Sequence, residues 1–311
     1  MSEEQTARPH VLVVGEALID VVRSADGSVD EHPGGSPANV AITLGRLGRD
    51  VELATWLGNG PYGDVVRRWL ARSHVGVTAG SDHALRTSIA TARLDEQGSA
   101  TYEFELDWRL PPGTAPAPGA LALHTGSIAV VIEPGGSEVV AVVESARRDV
   151  TVTYDPNVRP TLMGTPASAR PRIEQLVALA DVVKVSDEDV AWLAPGVDPL
   201  DVARRWVQAG PSLVVVTLGG GGAAAVLPGA RIVRVEAPQV DVVDTVGAGD
   251  SFMGALIDGL WTEGLLGAAR RDALRHVDEA TVRRVLEHCA RVAAVTVSRA
   301  GANPPTRAEL V

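Results

Sequence analysis

The sequence predicts an α/β fold, a mostly parallel central sheet with helices on both faces, plus a small β-sheet lid. Three observations carry the prediction. Short apolar runs of strand length recur along the chain, helical patterns lie between several of them, and two stretches break the alternation with hairpin signals.

The first run, Val11–Val14, ends at Gly15 and reads as a buried strand. Ala120–His124, Val150–Tyr154, Asp181–Val185 and Leu213–Leu218 share its character. Near-continuous apolar strands are those covered on both faces, as in parallel sheets. Leu18–Glu31 instead reads as two short strands around a turn at Asp26-Gly27, and Arg86–Leu106 as a hairpin turning at Glu96-Gln97-Gly98. Neither suits a crossover helix. Residues 18–33 and 85–107 are therefore assigned to the lid, and residues 1–17, 34–84 and 108–311 to the α/β body. The proline-rich run from Pro111 to Pro118 is expected to be a return connection. No internal repeat and no second independent domain is apparent.

Composition excludes several function classes. Of 311 residues 45% are hydrophobic and 22% charged, an ordinary globular balance. The net charge of −11 leaves no basic stripe for nucleic acid. An anionic ligand must then be held by local donors, because the overall field repels it. Cys289 is the sole cysteine, so no intrachain disulfide can form. It falls on the helical stripe Val282, Val285, Leu286, Cys289, Val292, Thr296 and reads as a buried thiol. No signal-peptide pattern and no apolar run of bilayer length is present, so a cytoplasmic protein with no membrane partner is expected.

The densest chemistry is Asp244-Thr245-Val246-Gly247-Ala248-Gly249-Asp250-Ser251-Phe252. Phe252, Ala255, Leu256, Gly259 and Leu260 then repeat at the spacing of one buried helix face. Gly247 to Gly249 thus sit at a helix start, where backbone N–H groups lack intrahelical partners and the dipole is positive. With almost no side chains there, a phosphate can approach the backbone closely. Asp250 at the mouth of that turn repels an anion unless it serves as a proton acceptor. A carboxylate is a weak base, but phosphoryl transfer has a loose transition state in which positioning matters more than basicity. Read alone, Gly-Ala-Gly-Asp is a capped helix start.

Near the front stands Pro33-Gly34-Gly35-Ser36-Pro37-Ala38-Asn39-Val40-Ala41. Ser36 suits an N-cap and Pro37 the first helical position. Val40, Thr43, Leu44 and Leu47 continue the helix until Gly48 stops it. Gly34-Gly35 lets backbone approach a ligand, and Asn39 offers both a donor and an acceptor. Asp20, after the first strand, could accept hydrogen bonds from two ligand hydroxyls, though alone it reads as a solvated turn residue.

Gly34–Ala41 resembles the first signature of the PfkB family of carbohydrate kinases, and Asp244–Gly254 its second. They stand more than 200 residues apart in the family's order, and the similarity runs from about Val11 to Pro305. The resemblance implies a ribokinase-like fold whose β lid closes over a sugar. It implies Asp250 as catalytic base, an anion hole framed by Gly247, Ala248, Gly249 and Asp250, and sugar contacts from Asp20, Gly34, Gly35 and Asn39. ATP and Mg2+ are the implied cofactors, with room for a monovalent cation such as K+.

Leu213–Leu218 leads through Gly219-Gly220-Gly221-Gly222 into the apolar Ala223–Leu227, which alone reads as a hairpin. In the family this turn lines the nucleotide site, so the resemblance assigns Thr217, Gly219 and Gly222 to it, with Asn303 near the adenine. A P-loop is excluded, and so is a dinucleotide fingerprint after Val14. Lys184, the only lysine, and Ser186 follow a buried strand and are assigned to the nucleotide side. The family often carries Asn-x-x-Glu here, which organises magnesium through water. This chain reads Ser186-x-x-Asp189, leaving Glu188 and Asp189 as the metal-side candidates. Gly60 is a second departure, at a position where relatives commonly carry an acid.

Asp155-Pro156-Asn157-Val158-Arg159-Pro160 follows a strand's carboxyl end, where α/β folds bind ligands. Within the family this run, with Gly15-Glu16-Ala17-Leu18-Ile19-Asp20, is similar to fructokinases and 2-keto-3-deoxygluconate kinases. Fructose phosphorylated at its 6-hydroxyl is the first choice, with Arg159 on the sugar or the phosphates. The alternatives are a keto-acid kinase using Arg86, Arg93, Arg109 or Arg159 for the carboxylate, a ribokinase or nucleoside kinase, and a non-catalytic sugar sensor. Tyr102, Phe104 and Trp108 are candidate ring-stacking residues. Apolar residues on the lid and its edge strands suggest a homodimer in which lids clasp.

Overall fold

Strands sort into two sheets. The computed structural model describes residues 8–95 and 100–310. In chain order the strands are β1 (His10–Val14), β2 (Leu18–Arg23), β3 (Val29–Gly34), β4 (Val51–Ala54), β5 (Val75–Val77), β6 (Ile89–Leu94), β7 (Ala100–Glu105), β8 (Ala120–Gly126), β9 (Thr151–Asp155), β10 (Val182–Ser186), β11 (Leu213–Thr217), β12 (Ala223–Leu227) and β13 (Arg231–Val235). Nine of them form one sheet in the order β13-β12-β11-β10-β9-β8-β1-β4-β5. Its pairs are parallel except β11/β12 and β12/β13, the hairpin that turns through the glycine run and its extension.

The five expected body strands are all present, within a residue or two of their predicted ends, as is the Ala223–Leu227 return. β4 and β5 were not expected. Glu52 interrupts the apolar run of the first, and the second has only three residues with Gly76 at its centre. Alternation along each strand feeds two cores. Val11 and Val13 of β1 join the core beneath the helices Ser36–Arg46, Ala248–Thr262 and Glu279–Val297, whereas Leu12 and Val14 join the opposite one. Cys289 is fully buried in the first core. A Cβ on Gly254 would lie 2.6 Å from Thr43 Cβ, so glycine there lets two of these helices touch.

The second sheet has the order β3-β2-β6-β7. β2 pairs β3 and β6 pairs β7 antiparallel, while β2 and β6 run parallel. The predicted turn at Glu96-Gln97-Gly98 lies outside the described residues. Past the lid the chain returns to the body through Trp108, which is buried and donates from Nε1 to the Ala129 carbonyl at 2.9 Å. Trp108 is thus part of the body's core and not a ring-stacking surface. Among the described residues no helix is long and apolar enough to cross a membrane.

Candidate active site

The carboxyl ends of β1, β9, β10 and β11 and the start of the Ala248–Thr262 helix face the lid across a cavity of about 960 Å³. Leu18, Asp20, Ala90, Tyr102 and Phe104 form the lid side of its wall. The Tyr102 and Phe104 rings stack there, 6.1 Å apart.

The helix starts where the glycines predict. Gly247 is its N-cap with φ 75°, a left-handed conformation that suits glycine, and a Cβ there would lie 2.5 Å from Ala302 Cβ. Asp244 pins the approach, accepting from Val246 N at 2.9 Å and Gly301 N at 2.8 Å. Ala248 N bonds the Thr245 carbonyl and Ser251 N the Gly247 carbonyl. The N–H groups of Gly247, Gly249 and Asp250 find no acceptor among the described residues. Three unpaired donors at a helix start make an anion nest on the cavity wall.

Asp250 is 5% exposed and also lines the cavity. Among the described residues it forms no ion pair. Its Oδ1 accepts from Ser36 Oγ at 2.7 Å and Asn157 Nδ2 at 2.9 Å, and its Oδ2 accepts from Asn39 Nδ2 at 2.7 Å. Asn157 Nδ2 also donates to Ser36 Oγ at 2.6 Å. Ser36 was expected to cap its helix. Instead Gly35 is the N-cap, with φ 110°, Ser36 begins the helix, and its hydroxyl is committed to Asp250. A Cβ on Gly35 would lie 2.5 Å from the Glu16 carbonyl oxygen, which is why only glycine brings this helix start so near β1.

Asp20 projects from β2 into the cavity. Solvent reaches its side chain, but the concave wall strips away enough bulk water to push its pKa up to about 6, against the pull of Arg159 and His32. Gly34 stands behind it, since a Cβ there would lie 2.1 Å from Asp20 Oδ2. Arg159 is the one arginine on the wall among Arg86, Arg93, Arg109 and Arg159. Its Nη1 donates to Asn157 Oδ1 at 2.6 Å, while Arg86 and Arg93 pair with Glu105 and Glu103 on the lid. Glu16, 5% exposed, accepts from Ala129 N at 3.2 Å, and burial pushes its carboxyl up to about 7. Ser127 and Asn157, both on the wall, take left-handed backbone at φ 55° and 36°. Strained non-glycine residues gather where structure serves something other than stability.

On the opposite side Thr217, Gly219 and Gly222 line the wall with Val240, Val242 and Val246. Lys184 is 2% exposed, with Nζ 2.9 Å from Asp155 Oδ2. Ser186 Oγ caps the Asp187–Leu193 helix by accepting from Asp189 N at 3.0 Å. Asp189 spends both carboxylate oxygens on backbone, accepting from Ser186 N at 3.0 Å and Val158 N at 2.7 Å. Glu188 is exposed on the wall. Asn303, expected near the adenine, is absent from the wall and accepts from Arg46 Nη1 at 2.5 Å.

Sequence reasoning did not assign Asn157, Ser36, Glu16 or Asp155 to the site. The Asp155–Pro160 run was the available signal, but which of its side chains meets Asp250 depends on how β9 ends.

The profile of the pfkB family carbohydrate kinases matches residues 8–309. A fructokinase of Klebsiella pneumoniae is 35% identical over 263 residues, covering 82% of this chain and 85% of that protein. The Escherichia coli fructokinase is 30% identical over 310 residues, covering 96% and 97%. A Xylella fastidiosa fructokinase crystallised with bound ATP superposes with a TM-score of 0.82 at 26% identity, covering 98% of this chain and 97% of that one. A Vibrio cholerae O395 fructokinase with fructose, ADP and calcium ion gives 0.81 at 27%, covering 97% of each. Nearly the whole chain matches, both signatures lie on one cavity, and the chain belongs to the pfkB family of carbohydrate kinases.

Proposed function

We propose that this protein is an ATP-dependent fructokinase that transfers the γ-phosphoryl of ATP to the 6-hydroxyl of fructose. The observation that carries the proposal is Asp250, a buried carboxylate on the cavity wall at the same helix start as three unpaired N–H groups. The fructokinase relatives support the choice of sugar, as does the Asp155–Arg159 run.

Between lid and body a sugar meets Asp20, Arg159 and Asn39, whose Oδ1 is buried with no partner among the described residues. A sugar hydroxyl would satisfy that acceptor. Phosphates meet the N–H groups of Gly247, Gly249 and Asp250, with Thr217 and Gly219 beyond. Asp250 then takes the proton of the attacking hydroxyl, while Ser36, Asn39 and Asn157 fix its orientation. Positioning and charge stabilisation carry most of the rate in such a transfer.

The residues also suit Mg2+. Among the described residues no group of three acids, histidines or cysteines could hold an ion unaided. Glu188 offers a carboxylate on the wall with no partner among the described residues, whereas Asp189 is bonded to the Ser186 and Val158 backbone. Glu188 would hold such an ion together with water, as suits a cation that gives up its waters reluctantly. Bound there, it would offset phosphate charge.

The test is ADP release from MgATP with fructose, ribose, 2-keto-3-deoxygluconate, tagatose and adenosine. Fructose is expected to give the highest kcat/KM. Another acceptor in first place would overturn the sugar, and no release with any of them would overturn the kinase. Asp20→Ala is expected to raise the sugar KM about 10–100-fold, the cost of a charge-assisted hydrogen bond, and to leave the ATP KM nearly unchanged. Equal effects on both would remove Asp20 from the sugar side. Because its carboxyl sits near 6, protonation below that pH removes acceptors, so the wild-type sugar KM should rise as pH falls through 6. A flat profile between pH 5 and about 8 would contradict this.

A further inference from the structure

Lys184 is the only lysine in the chain, and it is buried. Val183 and Val185 of β10 point into one core, which turns Lys184 to the other face, beneath the Ala248–Thr262 helix. There Nζ lies 2.9 Å from Asp155 Oδ2 and donates to the Gly249 carbonyl oxygen at 3.4 Å. A Cβ on Gly249 would lie 2.9 Å from Nζ, so a side chain there would have to push the ammonium aside.

The groups that face the ammonium come from four elements. Burial pushes Lys184 down, but Asp155 on β9, Asp189 on the next helix and Asp250 together hold it protonated. His124 on β8 stays neutral, its pKa lowered to about 3 by burial and then by Lys184. Burial pushes the Asp155 carboxyl up to about 7 against the pull of Lys184, whose Nζ lies at ion-pair distance, 2.9 Å from Oδ2. Apolar residues of similar volume commonly stabilise a fold as well as such a pair does. Stability alone leaves the pair unexplained. Its position does not.

The Gly249 carbonyl and the Asp250 N–H belong to one peptide unit. A planar trans peptide points them in opposite directions. Whatever grips the carbonyl therefore aims the N–H, and that N–H is one of the three unpaired donors on the cavity wall.

We propose that Lys184, anchored on Asp155, is a positioning residue for phosphoryl transfer: it grips the Gly249 carbonyl, aims the Asp250 N–H into the cavity and sets a fixed positive charge behind the anion nest. The inference rests on the kinase reading of this site but not on the identity of the sugar. Its effect falls on the transferred phosphoryl group, so kcat should move and sugar binding should not.

Removing either partner alone strands a buried charge and unfolds more than it informs. The informative variant is the double one, Lys184→Met with Asp155→Leu. It is expected to melt near the wild type while kcat, measured with the sugar the wild type phosphorylates fastest, falls about 100-fold or more and the sugar KM stays within about threefold. A double variant within about tenfold of wild-type kcat would show a merely structural pair and overturn the proposal.

A second readout needs no variant. With 13C-labelled lysine, the wild type has one side-chain Cε signal. It should shift on adding ADP, aluminium fluoride and Mg2+, and stay in place with fructose alone. A signal unmoved by saturating ADP and aluminium fluoride would overturn the proposal even if the double variant fails to fold. Were no sugar phosphorylated at all, the kinase reading would fall, and this signal would still report on Lys184.

Discussion

Asp250→Asn is expected to lower turnover by about 10³-fold, the range of a lost general base, while sugar and ATP still bind. The substitution keeps the shape and removes the proton acceptor. Its amide N–H2 would face Asn39, whose Oδ1 has no partner among the described residues, so a flip of the Asn39 amide restores a hydrogen bond. The fold should therefore survive, and titration calorimetry should show sugar affinity near wild type. Turnover within about tenfold of wild type would remove Asp250 from the base role.

The second large effect is expected far from the chemistry. Asp258 is buried and accepts from Arg49 Nε at 2.6 Å, His288 Nε2 at 2.8 Å and Arg307 Nη2 at 2.5 Å. One carboxylate thereby ties together the end of the first body helix, the Glu279–Val297 helix and the chain's last turn. Arg49 also lies over the Trp261 ring at 4.7 Å. Asp258→Ala removes the common acceptor. Because Arg49 and Arg307 are part-exposed and can rehydrate, the loss should sit near the low end for a buried pair, about 3 kcal/mol. That corresponds to a fall in Tm of about 5 °C with kcat little changed. A Tm within about 1 °C of wild type would show that the network contributes nothing.

The same residue makes a pH statement. Burial pushes Asp258 up, but the bonds from His288, Arg307 and Arg49 outweigh it and bring the carboxyl to about 2, below its ordinary 3.8. A depressed carboxyl stabilises fully above its unfolded pKa, and that contribution fades as pH falls from about 4 toward 2. The Asp258→Ala deficit should shrink across that window.

Much of this site was legible because its chemistry is local. Gly247, Gly249 and Asp250 are neighbours in sequence, and the helix that follows announces itself by its apolar period. The lid was legible for the opposite reason, since its two hairpins break that period. What could not be read depends on tertiary closure. Ser36 looks like an N-cap in sequence, and becomes a partner of Asp250 only when two helices distant in sequence meet at Gly254 and Thr43. Asn157 and Arg159 are two residues apart, and only the left-handed turn at Asn157 puts the first against Asp250 with the second behind it. Asp189 stands beside Glu188 as a metal-side candidate, and only the fold shows its oxygens bonded to Ser186 N and Val158 N. The pairing of Lys184 with Asp155 follows from strand order, which a lone lysine does not reveal.

The decisive measurement follows the labelled γ-phosphoryl of ATP in the presence of fructose and the purified protein. Label recovered on the 6-hydroxyl, in step with ADP and lost in Asp250→Asn, is the predicted result. Label recovered only as inorganic phosphate, or left in ATP while fructose binds, would contradict it.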